Sequence, residues 1–262
     1  VFPKFLLNTP EFSTTRAELA QKSVDAILDF GEKGFPGILV ETIAIFINNL
    51  AAPANTRVFS LTHRLHLTQP QAYIFDPKLP YWIIYRNQLF DSVCRKLDFD
   101  VFEVFRDRQL TNKLLSSSGE LRVLKSRNLS DDGKEILDIP GYDSYISYAA
   151  AKPLSVFQYL DAPNVYLTPN MTYKPRMMKK PPHCVVNGSL AILIPKGGIV
   201  PTEKQLAYFS SEEYRAFYQI ARNFQTRSLN VDACSVFFYG LLRDEAKPAP
   251  EKFDTSVQLS FL

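Results

Sequence analysis

Two apolar runs separated by a glycine-punctuated loop constrain this chain more than any other feature. Val24 to Phe30 is a short apolar run closed by Gly31, and Ile38 to Ile47 is β-branched and nearly continuously apolar, broken at Glu41. A run of the second kind predicts a strand covered on both faces, because a half-solvated strand would alternate apolar and polar residues. Upstream, Val1-Phe2 reads as the tail of another strand. Ser13, Thr14 and Thr15 then offer N-caps for a helix through Lys22, with Ala17, Leu19 and Ala20 apolar. Residues 1–50 therefore read β-α-β-β, part of an α/β sheet whose earlier strands lie outside this sequence. The opening Val1-Phe2-Pro3-Lys4, without a methionine and already at a strand end, carries the expectation of a fragment or a processed product.

A short linker, AAPAN at Ala51 to Asn55, introduces a second region that mixes short strands with a few helices. Arg57 to Leu61 and Tyr73 to Phe75 read as strands. Tyr85 to Leu97 reads as an amphipathic helix, with Leu89, Phe90, Val93 and Leu97 at helical spacing. Thr202-x-x-Gln205 and Ser210-x-x-Glu213 are consecutive capping boxes. The second launches a helix whose Tyr214, Phe217, Tyr218 and Ala221 form one apolar stripe, read as core. From Lys247 the tail (KPAPEK) is Pro-rich and is expected to be loose until Val257. With 262 residues, 46% hydrophobic and 22% charged, the chain has material for one large domain or two modest ones. Aromatic residues at 13% fit either aromatic-rich cores or a surface that stacks on bases.

Several function classes drop out. There is no P-loop, HExxH or GxSxG motif, and no PD-(D/E)xK-like arrangement stands out. Gly31, Gly34 and Gly37 share a three-residue spacing, but their loop joins two strands and opens no helix, so it is no dinucleotide fingerprint. His63, His66 and His183 lack metal-ligand spacing, and no metal is expected. Cys94, Cys184 and Cys234 are far apart and odd in number, which fits a reducing cytoplasm rather than a disulfide scaffold or zinc site. No run is long and apolar enough to span a bilayer, so no membrane partner is expected.

Net charge is only +3, so the distribution of charge matters more than its sum. Residues 171–180 (MTYKPRMMKK) hold Lys174, Arg176, Lys179 and Lys180 beside Tyr173, with no acid among them. Pro175, Pro181 and Pro182 keep the segment irregular. Such a loop suits phosphate contacts, which need cationic donors and reach, and equally suits a solvated surface. A second group, Arg106, Arg108, Lys113, Arg122, Lys125 and Arg127, surrounds the turn Ser116 to Gly119, its charge partly offset by Glu103, Asp107 and Glu120.

The runs VFPKFLLN and VDAILDFGEKGFPGILVETIAIFI resemble the later catalytic-domain motifs of N6-adenine DNA methyltransferases of restriction-modification systems. ELRVLKSRNLSDDG, VYLTPNMTYKPRMMKKPPHCVVNGSLAILIP and QLAYFSSEEYRAFYQIARNFQTRS are similar to target-recognition segments of such enzymes and of type I specificity subunits. The resemblance implies that residues 1–50 are the C-terminal edge of a Rossmann-like methyltransferase sheet (α/β), and 51–262 a mixed α+β target-recognition domain binding double-stranded DNA. It also implies S-adenosyl-L-methionine as cofactor of the complete enzyme, and a cognate restriction endonuclease as possible partner. In the family, an aromatic between the last two strands packs on the flipped adenine, and Phe35 in GEKGFPG falls there. An aromatic flanked by glycines is poorly supported as core and well placed to close on a ligand.

The departures are equally informative. The family's glycine-rich cofactor motif and its (Asn/Asp/Ser)-Pro-Pro-(Tyr/Phe) catalytic tetrapeptide are missing; Pro181-Pro182 lies between Lys180 and His183, which cannot serve. No catalytic residue and no bound cofactor are therefore expected in this chain, and the N-terminal catalytic part is expected on the same polypeptide or a separate chain. The alternative is a non-enzymatic specificity module directing a separate methylase or nuclease subunit, which would have no need of a methyltransferase sheet edge.

Overall fold

The structure, a computed structural model, describes residues 1–35, 37, 39–225 and 230–243; the tail expected to be loose lies outside them. Its architecture is mixed α/β, with several mixed sheets. The chain divides into two compact units: Val1–Phe99 with Gln219–Gln225 and 240–243, and Asp100–Tyr218 with 230–239.

The first unit is built on a five-stranded sheet in the order β1-β3-β2-β4-β5. Its strands are β1 (Phe2–Pro3), β2 (Ser23–Gly31), β3 (Thr42–Asn48), β4 (Asn55–Ser60) and β5 (Leu65–Pro70). β3 runs antiparallel to β1 and to β2, while β2 and β4 pair in parallel. The apolar run predicted as β2 is the central strand, and Val24, Ala26 and Ile27 are buried as a covered strand requires.

The second apolar run behaves differently. β3 starts at Thr42, leaving Leu39 and Val40 exposed in the loop, and Phe46 (52% exposed) and Ile47 lie open at its far end. The cause is the shortness of β1, which pairs only with Thr42 and Ile43. Burial of a strand depends on its neighbours' length, which its own composition does not contain.

Helix α1 (Ser13–Ala20) forms without the expected side-chain caps: Phe12 occupies the cap position, and Ser13 and Thr14 are exposed. Buried Arg16 supplies the anchorage instead, donating to the Leu6 and Thr9 carbonyls at 2.8 and 2.7 Å. The segment around Tyr73, expected as a strand, is a single helical turn, α2 (Gln71–Ile74). Buried Gln71 explains the turn. Its side chain accepts from Val24 N (2.8 Å) and donates to the Ala20 and Lys22 carbonyls (3.0 and 2.8 Å), satisfying the backbone where α1 enters β2.

Helix α3 (Gln88–Lys96) starts on Asn87, whose side chain caps Phe90 N, and buries Phe90, Val93 and Cys94. The stretch Ala51 to Asn55 does not separate two bodies, because β4 returns to pair with β2. The division between compact units falls at Phe99/Asp100.

The second unit holds sheets of its own; the pair formed by β6 (Leu97–Asp98) and Leu241–Leu242 belongs to the first. One sheet is antiparallel and includes β7 (Phe102–Phe105), β10 (Tyr166–Pro169), β11 (Met178–Lys179) and β13 (Leu190–Pro195) in the order β11-β10-β13-β7. The other sets β8 (Leu121–Leu124) between parallel β12 (Cys184–Val186) and antiparallel β9 (Ser144–Ile146). Leu121, Val123, Leu167, Val185, Leu190 and Ile192 belong to the core of this unit.

Helix α4 (Glu203–Tyr208) opens on the predicted Thr202–Gln205 capping box. The second predicted box does not form: a single cap stands one residue later, Ser211 accepting from Tyr214 N at 3.1 Å, and Ser210 instead donates to the Asp132 carbonyl. The stripe of the following helix, α5 (Glu212–Ala221), is buried as expected, and the Tyr214 hydroxyl donates to Phe238 O at 3.1 Å.

Candidate nucleic-acid interface

In the first unit, the loop between β2 and β3 presents Phe35 to solvent with 46% of its surface exposed. Its two ends are fixed by buried charge. Asp29, near the end of β2, accepts from Lys4 Nζ (2.7 Å) and from the Tyr85 hydroxyl (2.5 Å) on one oxygen, and from Gly31 N (2.9 Å) on the other. Glu41, just before β3, lies 3.3 Å from the same ammonium, and its carbonyl accepts from Lys4 N at 2.8 Å. Lys4, Asp29 and Glu41 are all buried.

Two glycines are required beside these ends. Gly31 has φ +55°, and a Cβ there would sit 2.5 Å from the Thr62 methyl. A Cβ on Gly34 would sit 2.1 Å from Thr42 Oγ1. Gly31 packs against Thr62 in the turn after β4 and Gly34 against Thr42 of β3, so threonine side chains fill the space beside both glycines.

The histidines do not converge. His63 lies against the Phe224 ring (4.6 Å between centroids) and near Tyr85 (6.4 Å), whereas His66 stacks on Phe59 at 4.3 Å. Burial first, and the Lys4 charge second, hold the His63 imidazole below its ordinary value. Burial pushes the Tyr85 phenol well above the tyrosine range, with Asp29 adding to the shift. Among the described residues, no group of three or more His, Cys, Asp or Glu could hold a metal ion, and no helix is long and apolar enough to cross a membrane.

In the second unit, the basic residues singled out by sequence sort into two kinds. Arg176, 8% exposed, is framework: its guanidinium donates to the carbonyls of Lys174, Ser126 and Leu129 at 3.0, 3.1 and 3.2 Å. Lys180, 5% exposed, donates to the Leu160 and Pro181 carbonyls at 2.7 and 2.9 Å. Burial holds both cations below their ordinary values. The expectation that these two meet phosphate is corrected, because each charge is directed inward.

Arg122 is likewise committed, to Asp138 (2.6 Å) and Asp143 (2.9 Å). Lys125 donates to the Tyr142 carbonyl and its ammonium lies over the Tyr142 ring, while the guanidinium of exposed Arg127 lies 4.8 Å from the same ring centroid. Lys174 is exposed and reaches exposed Asp131 at 2.8 Å, a surface pair of small net worth. Tyr173 and Lys179 are exposed.

Lys179 opens onto a cleft of about 730 Å³ whose lining includes Met177, Met178, Lys134 and Lys204, with Asp132 and Glu203 beside them. Lys134 and Lys204 were not singled out by sequence. Each sits among acids, near Asp131, Asp132 and Glu135 or next to Glu203, so neither stands in a basic run. Only the fold brings residues 134, 179 and 204 together. No protein-family model matches this chain, and no curated protein matches it.

Proposed function

We propose that this chain is the DNA-binding, target-recognition part of a site-specific N6-adenine DNA methyltransferase of the restriction-modification type. The observation that carries the reading is Phe35. It is an exposed aromatic on a loop between adjacent antiparallel strands, at the position where the resemblance puts the base-stacking residue. The order β1-β3-β2, with β3 antiparallel between two mutually parallel strands, is compatible with a Rossmann-like sheet that carries an antiparallel strand near its edge.

The residues present do not fit S-adenosyl-L-methionine. The loop glycines are packed against Thr62 and Thr42, and no catalytic tetrapeptide exists in the sequence. Cofactor and methyl transfer therefore belong to another part of the complete enzyme. This chain contributes the stacking aromatic and contacts to double-stranded DNA. Lys179, Lys134 and Lys204 around the methionine-floored cleft, with Lys174, Tyr173 and Arg127, supply exposed cations and an aromatic face suited to a phosphate backbone.

The test is Phe35→Ala in the complete enzyme, with base flipping read on a duplex carrying 2-aminopurine at the target and methylation read on the matching adenine duplex, because 2-aminopurine has no 6-amino group to methylate. Duplex affinity should stay within about twofold, while base-flipping fluorescence and methylation fall together, since stacking returns about 1–3 kcal/mol per base. Phe35→Trp should retain more activity than Phe35→Leu, which keeps the apolar bulk and loses the flat face. Equal behaviour of Trp and Leu would reduce Phe35 to loop packing.

A further inference from the structure

Lys4 stands at the end of β1, Asp29 two residues before the end of β2, and Glu41 one residue before β3. One ammonium thereby meets the last turn of the strand entering the Phe35 loop and the first residue of the strand leaving it. We propose that Lys4 is a positioning residue for Phe35, an internal ionic clamp that closes the two ends of the β2–β3 loop and so sets the placement of the aromatic ring. This rests on the reading of Phe35 as the stacking residue.

Four observations support the clamp. The contacts to Asp29 and Glu41, at 2.7 and 3.3 Å, come from one nitrogen, so neither loop end can shift without breaking an ion pair. Both carboxylates are buried, and separating either from the ammonium breaks its ion pair away from water, where the lost attraction is large. The clamp is itself held, because Gln225 donates to the Lys4 carbonyl (2.9 Å) and Tyr85 donates to Asp29. Finally, Asp29 passes the constraint forward through Gly31 N, and the Phe30 carbonyl accepts from Lys33 N at 3.0 Å, two residues before the ring. A supported side chain of this kind loses less on reaching its working geometry than one that must be ordered on binding.

Hydrogen exchange on this chain tests the clamp without DNA. Lys4→Met should raise amide exchange at Gly31, Lys33 and Phe35 by tenfold or more and speed tryptic cleavage after Lys33, with β4 and α3 amides unchanged. Because Lys4→Met removes the ion-pair partner of two buried carboxylates, Lys4→Met/Asp29→Asn/Glu41→Gln provides a charge-free control that is expected to fold. Loop exchange in it should stay raised, and Lys4→Arg should restore protection. Protection of the loop at wild-type level in a folded Lys4→Met or triple variant overturns the proposal.

In the complete enzyme, the folded Lys4 variant should lower kcat, expressed per folded enzyme measured by circular dichroism, about tenfold with KM for duplex unchanged, because that normalisation removes the loss that a merely destabilised fold would cause; a raised KM at unchanged kcat overturns the proposal. A loosened loop together with an inert Phe35→Ala would leave the clamp standing and remove the stacking reading. A rigid loop with a damaging Phe35→Ala would do the reverse.

Discussion

Arg176→Met separates a structural cation from a DNA-contacting one within a single basic segment. Met conserves most of the aliphatic volume and withdraws the guanidinium from three carbonyls, those of Lys174, Ser126 and Leu129. A hydrogen bond from a charged donor is worth roughly 1.5–3 kcal/mol net, and three would total about 5–9 if they were independent. They are not independent. The guanidinium is only 8% exposed and its Nε finds no acceptor, so part of that gain is offset by desolvation. A loss of about 3 kcal/mol follows.

Urea unfolding should show that loss as a lower midpoint at unchanged slope. A salt titration of duplex binding, run where the variant is fully folded, should keep the wild-type slope. If Arg176→Met is as stable as the parent to within about 0.5 kcal/mol, and the salt slope falls by about 0.9, the guanidinium leaves its carbonyls to meet phosphate. The inward assignment would then be refuted.

The cleft lysines should behave in the opposite way. Lys134→Gln, Lys179→Gln and Lys204→Gln should each leave unfolding midpoints unchanged and reduce the slope of log K against log salt by up to about one, read by fluorescence anisotropy on a duplex. His63 gives a pH signature. Its folded value lies below its ordinary 6.5, so the fold disfavours its protonation. The stability this contributes is present above about pH 6.5 and is lost as pH falls from there toward the lowered folded value. Urea midpoints should decline over that window in the parent and less so in His63→Asn; parallel curves would remove His63 as the cause.

What could be read ahead of the fold was local. The short apolar strand from Val24 to Phe30, the helix stripe at Tyr214, Phe217 and Tyr218, and the Thr202–Gln205 box each depend on spacing within one element, and each formed. What failed depended on distant residues. The exposed end of β3 reflects the length of β1; the turn at Tyr73 reflects Gln71 reaching back to Ala20, Lys22 and Val24. The basic run 171–180 misled for a related reason. A lysine or arginine between prolines has the same sequence signature whether its head enters water or caps buried carbonyls, and Arg176 and Lys180 do the second.

A different signal in the same sequence carried more positional information than the basic run. Asp29 and Glu41 interrupt apolar runs predicted as strands, and Lys4 sits at the end of an apolar strand. A lone charge in a covered strand is costly unless an opposite charge or several donors reach it, so its presence demands a partner. Three such residues, of complementary sign and at three strand ends, can satisfy that demand together only if those ends are adjacent. That condition favours the order in which β3 lies between β1 and β2, with the loop ends brought to Lys4. Surface charge can go anywhere that water reaches, and so specifies little. Charge stranded among apolar residues has few places to go, and here it marks the foot of the loop that carries Phe35.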